Sequence, residues 1–163
     1  MKFIAESFVK YGLVMIDGVE ASAQTTEELC RRVAPIHDTF FGSFWMFSNQ
    51  AQVKGEEYHE DTAYGSDTIG PHTDGTYFNQ TPGIQVFHCL HAAEEGGDTA
   101  LVDGFQSAAQ LKNENLSAFE LLSSRKIEHH YIESGAGNDA LYSTAKEKPV
   151  IELDSSGNIV QIR

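Results

Sequence analysis

The feature that most constrains this chain is the stretch from residue 70 to residue 102. It opens with Gly70-Pro71-His72-Thr73-Asp74-Gly75-Thr76-Tyr77-Phe78, continues through the apolar run Ile84-Gln85-Val86-Phe87-His88-Cys89-Leu90, and closes with Gly96-Gly97-Asp98-Thr99-Ala100-Leu101-Val102. Side chains alternate with period two in an extended segment, so His72 and Asp74 project to one side and can hold two coordination positions of one ion. One imidazole and one carboxylate, joined by a second imidazole from elsewhere, make the facial triad of non-haem Fe(II) oxygenases, with three positions left open for cosubstrate and O2. A structural zinc site would want cysteines. Cys30 and Cys89 are the only two, far apart and in no C-x-x-C arrangement.

His-x-Asp alone is a weak signal. Seven His and nine Asp in 163 residues supply roughly 0.4 such pairs by chance, and the chain carries a decoy in His59-Glu60-Asp61. Context separates the two. His72 and Asp74 follow the strand-breaking corner Gly70-Pro71, lead into alternating Thr76 and Phe78, and are followed about 25 residues later by the glycine-flanked Gly97-Asp98-Thr99. The decoy sits in a Gly-Glu-Glu-Tyr-His-Glu run that reads as solvated loop.

At 163 residues the chain reads as one domain, residues 1–163. A formal net charge of −13 with no basic stripe makes nucleic acid and anionic membrane poor partners. No apolar run approaches the ~20 residues of a membrane span, and the first residues lack the apolar core of a secretory signal. Two unpaired cysteines fit a reducing compartment.

Taken in order, Gly12-Leu13-Val14-Met15-Ile16 predicts a buried strand ended by a turn at Asp17-Gly18. Thr25 and Glu28, three apart, predict a capping box opening a helix with Leu29, Val33 and Ile36 on one face. Residues 39–47 hold Phe40, Phe41, Phe44, Trp45 and Phe47, either core or the aromatic wall that would hold a quaternary ammonium group by cation–π attraction. Residues 48–67 read as a long polar loop, a common place for substrate contacts. Residues 84–90 predict a buried strand and 98–102 another strand, Asp103 with Gln106 caps a helix through Phe105, Ala108, Ala109 and Lys112, Asn115 caps the next with Leu116, Phe119 and Leu122 inward, and residues 127–132 predict a strand. Residues 150–162 predict a hairpin around Asp154-Ser155-Ser156-Gly157-Asn158. The expected fold class is mainly β with added helices (α+β): a partial double-stranded β-helix, or jelly roll.

The quoted motifs, with Pro82-Gly83 before the apolar run and Asp103-Gly104-Phe105 after Val102, resemble the trimethyllysine dioxygenases of carnitine biosynthesis. They resemble the γ-butyrobetaine dioxygenases less completely; both groups belong to the taurine-dioxygenase-like Fe(II)/2-oxoglutarate oxygenases. The resemblance implies that His72 and Asp74 are the first two iron ligands and that Thr99 hydrogen-bonds a carboxylate of the cosubstrate 2-oxoglutarate. It places Phe41, Trp45 and Tyr64 around the trimethylammonium group of the substrate and turns Asp61 towards its polar end. It further implies ascorbate as reductant, a homodimer in the full-length protein, and a mitochondrial location if that protein is a eukaryotic trimethyllysine dioxygenase, otherwise a cytoplasmic one.

Two departures stand out. The family's third ligand, a histidine, and the arginine that pairs with 2-oxoglutarate fall beyond residue 163, and the only late histidines, His129 and His130, lie in a segment that carries no ligand in the family. The resemblance also implies a C-terminal part of the jelly roll and a small N-terminal domain outside these residues. The expectation is an incomplete, inactive fragment of a trimethyllysine hydroxylase; the alternatives are a γ-butyrobetaine hydroxylase or a non-catalytic trimethylammonium-binding remnant.

Overall fold

A computed structural model describes residues 2–39, 41–44, 46–47, 68–134, 139–143 and 147–163, the strand segments 133–134 and 139–143 by their backbone. The chain divides into two compact units, Met1–Met46 with Ile84–Gly97, and Phe47–Gly83 with Asp98–Arg163.

The first unit contains α1 (Lys2–Tyr11) and α2 (Ala23–Val33). The α1 helix was not expected from the sequence; Gly12, at φ +72°, ends it and donates its N–H to the Phe8 carbonyl at 2.8 Å. The predicted strand over 12–16 is absent, and Met15 there is 84% exposed. In α2 the cap is Ser22 rather than Thr25. Ser22 Oγ accepts from the Thr25 N–H at 3.2 Å, while the Thr25 hydroxyl donates back to the Glu20 carbonyl at 2.7 Å, so the helix begins before the expected box. The residue that α2 buries is polar: Thr26 donates to the Ser22 carbonyl at 2.7 Å and accepts from Nδ1 of His88 at 2.6 Å. Leu29 and Ile36 are half-buried and Val33 is exposed.

Among the described residues the second unit carries α3 (Gly104–Glu114), α4 (Leu116–Ser124) and six short strands. Both helix starts are as the sequence predicts. Asp103 Oδ1 accepts from the Gln106 N–H at 2.9 Å, and Asn115 Oδ1 accepts from the Ala118 N–H at 3.0 Å. Asn115 also ends α3, so one residue closes one helix and opens the next. The strands form three antiparallel pairs: β1 (Lys126–Ile127) with β4 (Lys148–Pro149), β2 (His130–Ser134) with β3 (Asp139–Ser143), and β5 (Ile151–Leu153) with β6 (Ile159–Ile162).

The core of this unit is where α3 and α4 lie against the β5–β6 hairpin. Ala108, Phe119 and Ile151 are buried there, surrounded by Leu111, Leu122, Val150, Leu153, Ile159 and Ile162. Leu116, expected inward, is exposed. Gly104 lets helix and strand close up, since a Cβ there would stand 3.3 Å from Ile162 Cδ1. The Asp154 loop turns the hairpin as its sequence predicts: Oδ1 accepts from the N–H groups of Ser156 and Asn158, both at 2.8 Å.

The expected strand over 127–132 is split between β1 and β2, which pair with different partners. Residues 84–90, expected as a buried strand, and 98–102, expected as another strand, lie outside helix and strand, with Phe87 66% and Leu101 68% exposed. Apolar runs supply strand propensity, but a strand also needs a neighbouring backbone to pair with and a second layer to cover it. The architecture is therefore one of helices and small two-stranded sheets, with more described residues in helices than in strands.

Candidate metal site

His72 and Asp74 do converge. His72 Nε2 stands 3.2 Å from Asp74 Oδ1, with each side chain about half exposed, so the pair opens to solvent. His72 Nδ1 lies 2.8 Å from the Gly70 carbonyl, and since a carbonyl oxygen can only accept, Nδ1 carries the proton of that bond. In the neutral ring this leaves the Nε2 lone pair facing a carboxylate oxygen. Two acceptors at this separation are reconciled by a proton or by a metal cation between them.

The donor set fits a metal. Neutral imidazole and carboxylate are the ligand types that divalent iron accepts, and the histidine is oriented by a carbonyl on its other nitrogen, the arrangement usual for metal-ligating imidazoles.

The turn that follows is fixed by Gly75. It is buried at φ +67°, its carbonyl accepts from the Phe78 N–H at 3.0 Å, and a Cβ on it would meet Phe78 Cδ2 at 3.0 Å. The Phe78 ring thus lies on the bare backbone just beyond Asp74. The Tyr77 ring lies tilted against Phe78 at 4.9 Å and against Tyr131 of β2 at 5.3 Å between centroids. Gly75 follows the His-x-Asp pair directly, in a stretch the sequence reads as extended, so a turn was not expected there. Tyr131 was not legible either, because nothing local to it points 54 residues back along the chain.

The other expected site residues are placed unevenly. Thr99 is exposed on a segment outside helix and strand. Phe41 is half-buried in a tight turn of the first unit, where its N–H donates to Thr39 Oγ1 at 3.2 Å. Trp45, Asp61 and Tyr64, and the decoy at 59–61, lie outside the described residues. His129 is half-buried between β1 and β2, and His130 is exposed at the start of β2. Among the described residues no three His, Cys, Asp or Glu side chains gather as a metal site would need, so the pair stands as two donors.

A family model described as taurine catabolism dioxygenase TauD, TfdA family matches residues 1–158. The trimethyllysine dioxygenase of Meyerozyma guilliermondii is 37% identical over 154 residues, covering 94% of this chain and 36% of the relative. The mitochondrial trimethyllysine dioxygenase of Rattus norvegicus is 39% identical over 134 residues, covering 82% and 30%. The gamma-butyrobetaine dioxygenase of Homo sapiens is 31% identical over 154 residues, covering 94% and 37%. The chain thus spans about a third of the length of the curated relatives it matches.

Proposed function

This chain belongs to the taurine catabolism dioxygenase TauD, TfdA family, and on that premise we propose that it is part of an Fe(II)/2-oxoglutarate-dependent dioxygenase that hydroxylates N6-trimethyllysine. The observation that carries the reading is the convergence of His72 Nε2 and Asp74 Oδ1 with the opposite ring nitrogen held by a backbone carbonyl. The trimethyllysine substrate is favoured over γ-butyrobetaine by the higher identity to the trimethyllysine enzymes, 37–39% against 31%.

In this reading His72 and Asp74 hold the iron on one face, and the Gly70 carbonyl keeps the imidazole turned with its lone pair outward. When bound, iron with 2-oxoglutarate and O2 would supply the oxidising chemistry for an unactivated C–H bond, with ascorbate as the reductant. The Thr99 hydroxyl donates to a 2-oxoglutarate carboxylate. Phe41, Trp45 and Tyr64 surround the trimethylammonium group, Asp61 faces the polar end of the substrate, and a fixed anchor distance selects the carbon presented to the metal. The two units belong to one incomplete catalytic domain, a partial double-stranded β-helix. On its own the 163-residue chain turns over no 2-oxoglutarate in this reading, because among the described residues no third donor gathers with His72 and Asp74.

The test is Co(II) titration of the chain followed by its absorption spectrum, with His72→Ala and Asp74→Ala beside the wild type. Binding that either substitution abolishes supports the reading. Binding that both leave intact would sink it, and 2-oxoglutarate turnover by the chain alone would overturn the proposed inactivity.

A further inference from the structure

The leg of the turn that leaves Gly75 is held from a distance by polar contacts. Lys148, on β4, donates through Nζ to the Asn79 carbonyl at 2.7 Å and the Phe78 carbonyl at 3.3 Å. Gln161, on β6, donates through Nε2 to Thr81 Oγ1 at 2.7 Å, and its Oε1 accepts from Arg163 at 2.7 Å, which settles which end of the amide faces Thr81. Arg163 is itself fixed, since its side chain is 2% exposed, ion-paired to Glu152 and hydrogen-bonded to the Pro149 carbonyl. The bonds of Lys148 and Gln161 to the leg span 69 to 80 residues of sequence.

Between this leg and the strands lies a cleft of about 650 Å³, with Asn79, Thr81, Lys148 and Gln161 on its walls. The leg is thus bridged to the strands across open space. Without the Lys148 ammonium, the two adjacent carbonyls of Phe78 and Asn79 lose a charged donor, while the Gln161–Thr81 bond and the ring contacts of Tyr77 and Phe78 remain. Burial and the nearby Arg163 charge hold the Lys148 pKa below the ordinary lysine value, against the pull of Glu152.

We propose that Lys148, seconded by Gln161, is a positioning residue for the metal pair: it clamps the Phe78–Asn79 leg so that Gly75 keeps its turn and the His72 and Asp74 donors stay converged. Two strands remote in sequence thereby set the donor separation. The inference rests on the metal reading of His72 and Asp74.

The experiment uses the full chain with Co(II) alone as the probe, and amide hydrogen exchange on the metal-free protein. Lys148→Met should speed exchange of the Phe78 amide, which is bonded to the Gly75 carbonyl, leave α3 amides unchanged, weaken Co(II) binding about tenfold and alter the Co(II) spectrum. Lys148→Arg, which can reach both carbonyls, should restore the spectrum. Gln161→Ala should act in the same direction to a smaller extent, and serves as the test if Lys148→Met does not fold. Phe78 exchange unchanged in the variant would overturn the clamp. Faster exchange with Co(II) affinity and spectrum unchanged would reduce Lys148 to a structural contact and overturn its positioning role alone. No Co(II) binding by the wild type would instead overturn the metal reading, and the positioning role with it.

Discussion

The hydroxyl of Thr26 lies 2.6 Å from Nδ1 of His88, joining the first buried position of α2 to a segment 62 residues away. Thr26 spends its one proton on the Ser22 carbonyl, so His88 is the donor in this bond. Thr26→Val keeps the shape and removes the acceptor. It should cost about 1–2 kcal/mol, towards the low end because His88 is only half-buried, and Thr26→Ser should recover most of it. Chemical denaturation followed by α2 amide exchange measures both. A Thr26→Val protein as stable as the wild type would show that the bond contributes nothing.

Gly75→Ala should be costly for two separate reasons. An L-residue at φ +67° pays roughly 1–2 kcal/mol, and the new Cβ would press on Phe78 at 3.0 Å. Because the strain falls next to Asp74, Co(II) binding should weaken along with urea stability. Loss of stability with unaltered metal binding would separate the turn from the site.

Phe119 is the largest side chain in the small core between the helices and the β5–β6 hairpin. Phe119→Ala should cost about 3–5 kcal/mol, a large part of what a small unit has in reserve. Far-UV circular dichroism on heating should show the variant melting far below the wild type, with Phe119→Leu between them. A variant melting within a few degrees of the wild type would place the stabilising core elsewhere.

Asp154 gives a pH signature. The Asn158 side chain, and then the backbone N–H groups of the loop, hold its carboxyl below the ordinary carboxylate value despite a small opposing effect of burial. The folded state therefore prefers the ionised form. Its contribution is complete above the unfolded pKa and disappears as the pH falls through the lower, folded one. The melting temperature of the wild type should exceed that of Asp154→Ala at neutral pH, and the gap should close in acid over that window. A gap constant with pH would assign the effect to something other than ionisation.

What was legible in the sequence is what hydrogen bonds over two to four residues decide. Asp103 and Asn115 cap α3 and α4 through the N–H three residues on, Asp154 builds its loop within five residues, and His72 and Asp74 share a side by their spacing alone. Even local signals compete: Ser22 took the start of α2 from Thr25 because both hydroxyls were within reach of the same turn. Tertiary structure alone decided whether residues 84–90 and 98–102 became strands, that Thr26 would meet His88, and that Lys148 would reach the turn beyond Asp74. A cap or a tight turn is completed by its own neighbours, whereas a strand or a clamp is completed by a partner whose position follows from the packing of the chain.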